Sequence, residues 1–177
     1  MKALKIILFS IIAFSFSGCD DELFDIKFGL QTQEVFYTVK PTTVAGIIPL
    51  DTALESINLD SFATANGVKD MSLLKSLKII KINVSIVSPP TATFDIIDNG
   101  FIYLGADGLP TVEIASINNI PAGTTQFDIT PADVNLLDYG RKPNLFTFGY
   151  LLTKGPVMEE IKLKFLIDYE AIANPTQ

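Results

Sequence analysis

Residues 144–169 read NLFTFGYLLTKGPVMEEIKLKFLIDY. Phe146, Phe148, Tyr150 and Leu152 alternate with Thr147, Gly149 and Leu151. Beyond Gly155-Pro156, Ile161, Leu163, Phe165, Ile167 and Tyr169 alternate with Lys162, Lys164 and Asp168. A period of two belongs to a pleated strand, whose successive side chains point to opposite faces. A helix would repeat its apolar residues with a period of 3.6. The two runs therefore predict strands at 144–153 and 157–169, joined as a hairpin. The rings fall on the inward phase, and Lys162 and Lys164 face water. Those lysines either guard an edge against pairing or stand on the solvent face of an interior strand.

The same period recurs upstream. Phe24, Ile26, Phe28 and Leu30 alternate with Asp25, Lys27 and Gly29; Val35, Tyr37 and Val39 with Phe36 and Thr38; Ile80, Ile82, Val84 and Ile86 with Lys81, Asn83 and Ser85. Shorter strands are expected at 55–60, 92–97, 101–104, 110–117 and 124–129. Turn chemistry separates them at Pro89-Pro90, Asp98-Asn99-Gly100, Ala106-Asp107-Gly108 and Pro121-Ala122-Gly123. Asn-Gly tolerates positive φ, so 98–100 is expected to turn a hairpin between 92–97 and 101–104. About ten short strands with regular punctuation predict an all-β, antiparallel sandwich, Ig-like or jelly-roll-like, with a closed barrel as the alternative. One or two short helices are expected within it. Thr130, Pro131 and Asp133 suit a helix start that Gly140 would end. Asp70 to Ser76 suits a second, shorter turn.

Composition narrows the chemistry. The chain has 177 residues, 48% of them hydrophobic and 19% charged, which suits a folded domain. It has no His, so Ser-His-Asp, Cys-His and His-metal mechanisms are excluded. A single Cys excludes a disulfide framework and multi-cysteine metal sites. A net charge of −7 argues against nucleic acid, which needs a basic face. The carboxylates are scattered. Asp51, Asp98 and Asp107 sit at turns, and Asp25, Glu113, Asp168 and Glu170 at outward strand positions. No pair is placed to converge in a cleft, as two-acid hydrolysis requires. No catalytic residue and no cofactor are expected. Asp95, Asp98 and Asn99 lack the ligand spacing of a calcium loop, so no metal site is expected. Gly105-Ala106-Asp107-Gly108 lacks the lysine of a phosphate loop. Phe101, Tyr103 and Tyr139 flank turns or a helix end and are the candidates for ligand-facing aromatics.

The N-terminus has its own logic. Lys2 and Lys5 precede an eleven-residue apolar run, Ile6 to Phe16. That run is too short to span a bilayer, which takes about 20 residues. A basic start and a short apolar stretch form a secretory signal peptide. Ser17-Gly18 then precede Cys19. This segment resembles the lipobox of bacterial lipoproteins, with Phe16 where that family carries Leu, Val or Ile. The resemblance implies removal of residues 1–18 and lipid on Cys19. It also implies attachment to the membrane through that lipid. Asp20-Asp21-Glu22 is similar to the acidic export cluster of Bacteroidota surface lipoproteins, which implies an outer-membrane, cell-surface location. The periplasmic face is the alternative. Asp51-Thr52-Ala53 resembles the O-glycosylation acceptor of exported Bacteroidota proteins, which implies a glycan on Thr52.

The expected organisation is a leader at 1–18, a tether at 19–23 and one sandwich domain at 24–177. The tether spans at most about 18 Å. Losing Lys2 and Lys5 leaves 11 basic against 20 acidic residues, so attachment falls to the lipid and not to a basic face. The expected function is non-catalytic: protein–protein contact or a structural role in the envelope, with a glycan or small-ligand binding module as the alternative. Two or three acyl chains hold a protein stably where one does not. Cys19→Ala is therefore expected to abolish labelling by radioactive palmitate and to move the chain out of the membrane fraction. Unchanged labelling would refute the lipobox.

Overall fold

A computed structural model describes residues 25–29, 33–55, 57, 59–68 and 70–174. Cys19, Asp20, Asp21, Glu22, Phe24 and Leu30 lie outside the described residues. Nine strands are described: β1 (Ile26–Gly29), β2 (Gln33–Val39), β3 (Ile47–Glu55), β4 (Leu74–Ser88), β5 (Ile97–Ala106), β6 (Leu109–Ile117), β7 (Gln126–Ile129), β8 (Leu145–Thr153) and β9 (Ile161–Ala173). Two short helices, α1 (Leu59–Ala65) and α2 (Leu137–Gly140), lie in the connections.

The strands form two antiparallel sheets. Sheet A runs β1-β9-β4-β7, with β2 continuing along the same edge of β9 as β1. Sheet B runs β3-β8-β5-β6. The pairings nest: β2 with β9, β3 with β8, β4 with β7 and β5 with β6. The chain is thus one long ribbon, doubled back at Asp107-Gly108 and rolled into a sandwich. This is jelly-roll order, which decides against the Ig-like arrangement and the closed barrel. The doubling point needs glycine, since Gly108 has φ +77°.

Alternation sets the core as expected on sheet A. Val35, Tyr37 and Val39 of β2 face Phe165, Leu163 and Ile161 of β9, all buried. Tyr37 meets Phe165 edge-on at 5.3 Å. Its hydroxyl crosses the core to donate to Thr147 of β8, a buried threonine on the opposite sheet. In β1 only Phe28 is buried and Ile26 stays exposed. In β4 the expected phase holds for Ile82 and Val84. A register shift between Ile79 and Lys81 then reverses it, so that Leu77 and Ile79 are buried and Ile80 is exposed.

Several expectations are corrected. Strands β8 and β9 are not a hairpin, because they belong to different sheets. The segment between them bonds to other loops: Thr42 N–H donates to the Val157 carbonyl at 2.8 Å, Val157 N–H donates to Thr42 Oγ1 at 3.1 Å, and Lys154 N–H donates to the Ile96 carbonyl at 2.8 Å. Lys162 and Lys164 therefore sit on the solvent face of an interior strand, not at an edge. Asp98-Asn99-Gly100 is no turn but part of β5, at a register shift between Ile97 and Asn99. Gly100 is required there by packing: a Cβ would lie 2.6 Å from Leu151 Cδ2 and 2.9 Å from the Tyr150 oxygen.

The expected strand at 55–60 gives way to the end of β3 and to α1. Leu59 and Ala63 bury one face of that helix. Gly67 N–H donates to the Thr64 carbonyl and Val68 N–H to the Ala63 carbonyl, a Schellman stop with Gly67 at φ +82°. The helix expected from Thr130 begins only at Leu137. Pro131 instead bridges Ala115, and Ala132 N–H donates to the Ile114 carbonyl, so this segment covers the free edge of β6. Asn135 Oδ1 accepts from Leu137 N–H at 3.1 Å and stands where Thr130 was expected as cap. The end at Gly140 is as expected, and Asp70 to Ser76 contains a short 3₁₀ turn, Met71–Leu73.

Gly149 of β8 is buried, and a Cβ there would overlap the Phe101 carbonyl oxygen of β5. Gly46 has open space around it. Gly149→Ala is expected to lower unfolding free energy by about 1–3 kcal/mol. Gly46→Ala is expected to stay within about 0.5 kcal/mol of wild type. Urea unfolding followed by circular dichroism checks both.

Candidate functional site

The two outer faces of the sandwich differ sharply in chemistry. On sheet A the outward residues mix charged pairs with exposed apolar residues, Phe36, Ile80 and Val87 among them. Lys164 reaches Glu34 at 3.9 Å, Lys81 reaches Asp128 at 3.5 Å, and Asn83 Nδ2 donates to Asp128 Oδ1 at 2.7 Å. That last hydrogen bond, with Lys81 alongside, holds the Asp128 carboxyl below its usual range. This is an ordinary solvated face, and its exposed ion pairs contribute little to stability.

Sheet B faces outward with aromatic rings. In β8 the buried residues are Leu145, Thr147, Gly149, Leu151 and Thr153. Phe146, Phe148, Tyr150 and Leu152 are the outward set, half-buried among one another. This reverses the phase expected for β8. The alternation was right; the assignment of the larger residues to the core was not. The inner position of Gly149 has no room even for a methyl group, and Thr147 meets the Tyr37 hydroxyl there. The rings are left with the outside.

Neighbouring β5 contributes Phe101 and Tyr103 to the same face. Cross-strand register places Phe101 opposite Tyr150 and Tyr103 opposite Phe148. Ring centroids are 5.3 Å apart for Phe101–Tyr150, 5.4 Å for Tyr103–Phe148, 6.0 Å for Tyr103–Tyr150 and 6.2 Å for Phe146–Phe148. The last three pairs are stacked within 28° of parallel. Each cross-strand aromatic pair adds roughly 0.2–1 kcal/mol. Phe146 leans over Gly105, where any Cβ would strike its ring. The result is a five-ring strip.

A polar margin lies along the strip on β6. Glu113 is the register partner of Tyr103, and Ser116 that of Phe101. The Tyr103 and Tyr150 hydroxyls lie 3.2 Å apart. That shared proton, with burial and the negative charge of Glu113, pushes the Tyr103 hydroxyl up to about 12. Beyond β6 a cleft of about 460 Å³ opens, its polar lining being Glu113, Ser116, Asn118, Asn119, Asp128 and Thr130. Asn118 Nδ2 donates to Ser116 Oγ at 3.1 Å, and Asn119 adopts φ +51°. None of the residues lining the cleft is basic.

Of the three aromatics singled out from sequence, the structure brings together Phe101 and Tyr103. Tyr139 stands apart on α2, where its hydroxyl donates to the Pro110 carbonyl at 2.6 Å. Phe146, Phe148 and Tyr150 were missed as surface residues. The alternate set, Leu145, Thr147, Gly149, Leu151 and Thr153, gave no sequence signal for this, because large residues on one phase and smaller ones on the other normally read as rings inward. Thr52 is exposed on β3, beside the register shift between Leu50 and Ala53. Asp25 is not outward as expected but half-buried, 2.9 Å from Lys75. Asp95 is committed to a loop: it accepts from Gly123 N–H at 2.7 Å and from Thr93 Oγ1 at 2.9 Å. Those two bonds, the backbone one foremost, hold its carboxyl below the usual range. Among the described residues no group of three or more Cys, Asp or Glu is placed to hold a metal, and no helix is long and apolar enough to cross a membrane.

No protein-family model matches this chain, and no curated protein matches it. The chain is similar to one in the structure of Triatoma virus, at 10% identity and a TM-score of 0.35, over 100% of this chain and 82% of that one. It is similar to a chain of infectious bursal disease virus, Gx strain, at 12% identity and a TM-score of 0.35, over 84% of this chain and 40% of that one. For tomato aspermy virus the values are 11% identity and a TM-score of 0.28, over 78% and 76%. At these values the likenesses add nothing to the fold read from strand order, and nothing about function.

The Tyr103 shift gives a pH signature. Between the ordinary value of 10.0 and about 12, the folded chain keeps a proton that the unfolded chain loses. Stability is therefore expected to fall as pH rises through that window, having been unaffected by this group below it. Tyr150→Phe is expected to bring the Tyr103 transition down towards its ordinary value. Tyrosinate absorbance during alkaline titration checks this, and an unmoved transition refutes the pairing.

Proposed function

We propose that this chain is a lipid-anchored, non-catalytic protein of the bacterial cell envelope that acts by binding, through the outer face of sheet B. The single observation that carries the binding part is the five-ring strip on that face. Isolated exposed hydrophobics are common, but a contiguous aromatic patch on one face is not. Interfaces are enriched in Tyr and Phe and depleted of charge at their centres, as this face is. The envelope part rests on Cys19 and its surroundings in the sequence.

The geometry is compatible with such an anchor. Strand β1 pairs with the last four residues of β9, so the chain enters at the end of the sandwich that holds the C-terminal end of β9. Strand β9, with 13 residues, runs about 43 Å from there to the opposite loops. The aromatic strip lies along the flank, between a membrane-near end and a far end. A lipid attached a few residues before β1 leaves that flank open to a partner beside the anchored protein. Location at the cell surface, and a glycan on Thr52, are parts of the same proposal.

A photo-reactive benzoylphenylalanine at position 148 tests the binding face in intact cells. Irradiation is expected to give a discrete higher-mass adduct from position 148 and none from position 162 on the outer face of sheet A. No adduct from position 148, in a chain that still fractionates with membrane, refutes the reading.

A further inference from the structure

We infer that the aromatic strip and the cleft beside Glu113 together form a site for a neutral carbohydrate. The inference rests on the reading of sheet B's outer face as the binding surface and names what that surface takes.

Three features restrict the ligand. The rings demand a ligand with an apolar side. An aromatic face carries negative quadrupole potential and attracts polarised C–H groups, such as those on one face of a sugar ring. The margin demands a ligand rich in hydroxyls. Across one strand from Phe101 and Tyr103 stand a hydroxyl, a carboxylate and, through the cleft, two side-chain amides: Ser116, Glu113, Asn118 and Asn119. Hydroxyl and amide groups both donate and accept, and the carboxylate accepts only. A sugar hydroxyl, itself donor and acceptor, pairs with all of them. The charge demands a ligand without negative groups. No basic residue lines the cleft, and Lys81, which reaches the Asp128 carboxylate, is already paired with it. An anion would meet Glu113 with nothing to compensate it.

Volume and preorganisation agree. A cleft of about 460 Å³ lies within the range of small-ligand sites, roughly 300–1,000 Å³. Six polar residues among the ten that line it suit a sugar better than a lipid chain. The Tyr103 ring is held by the Phe148 stack below it and by the Tyr150 hydroxyl at its tip, so little side-chain freedom remains to be lost on binding. The bound sugar would stack on the Phe101–Tyr103 side of the strip and place its hydroxyls over Glu113 and Ser116.

The test uses the full chain, purified from membranes in detergent, on an array of neutral and acidic oligosaccharides, followed by titration with the best neutral hexasaccharide. Neutral glycans are expected to be retained and acidic ones not. Tyr103→Ala is expected to weaken binding by about tenfold or more, and Glu113→Gln by several-fold. Lys162→Ala, on the opposite face, is expected to leave binding unchanged. Glu113→Gln and Tyr103→Phe preserve side-chain volume, so their effects are read on a folded chain; Tyr103→Phe is expected to weaken binding less than Tyr103→Ala. Retention of no neutral glycan, a preference for acidic glycans, or retention indifferent to Tyr103→Ala and Glu113→Gln overturns the inference. The cellular adduct from position 148 separates this failure from that of the binding reading. An adduct cleaved by periodate supports a carbohydrate. A periodate-resistant adduct digested by protease overturns the carbohydrate and leaves the binding face standing. No adduct removes both.

Discussion

The rest of the structure hangs on the pairing of the first strands with the last. Strand β9 has β4 on one side, and on the other β1 and then β2, from Ile26↔Ala173 to Val39↔Ile161. Remove β1 and β2, and β9 becomes an edge whose backbone donors and acceptors lack partners. This contact closes nearly the whole chain into one loop, with the entropy cost that a long closure carries. The compensation is local and dense: Tyr37, Phe165 and Val39 are buried together beneath it. Once the ends are joined, the inner pairs β3·β8, β4·β7 and β5·β6 nest within them, and the ribbon has one way to roll.

The roll brings two sheets face to face and allots space unequally. Sheet A supplies Tyr37, Phe165, Tyr169 and long aliphatic chains to the interior. Opposite them, β8 contributes Thr147 and Gly149 among its inward residues. Interiors are packed to crystal-like density, so bulk on one side is matched by small residues on the other. The price of that fit is an outer face on β8 more apolar than its inner one. Phe148 and Tyr150 pair with Tyr103 and Phe101 across the strands on the outside, where polar residues would serve solubility better. Rings at those positions, meeting the rings of β5 in register, are the ground on which this face is proposed as the binding surface.

The jelly roll itself does not name that task, since one fold hosts many functions. What bears on function is local: rings on two strands, a carboxylate and a hydroxyl on the third, and a polar cleft past the edge. These groups come from residues 101–103, 113–119 and 146–150, which only the β8-β5-β6 order makes neighbours. Two carboxylates away from the site are tied into the fold: Asp95 accepts from Gly123 N–H and Asp70 from Ser72 N–H at the start of a 3₁₀ turn.

Read alone, the chain determined its all-β class, most of its core phase on sheet A, the turn at Asp107-Gly108 and the helix end at Gly140. These follow from side-chain alternation and from backbone freedom at glycine, which are local properties. It also carried Cys19 and the residues before it, on which the proposed anchor rests and whose reading needs no fold. It did not place β3, nor the loop and 3₁₀ turn (Phe94–Ile96) that stand where a strand at 92–97 was expected. It did not determine which strands pair: β8 and β9 look like a hairpin until the loop between them is seen to bond to Thr42 and Ile96. It did not tell a turn from a bulge at Asp98-Asn99-Gly100, because glycine serves a tight turn and a tight contact alike. Nor did it tell the inside of β8 from the outside. A period of two fixes that the faces differ, and only the volume left by the opposing sheet decides which of them is buried.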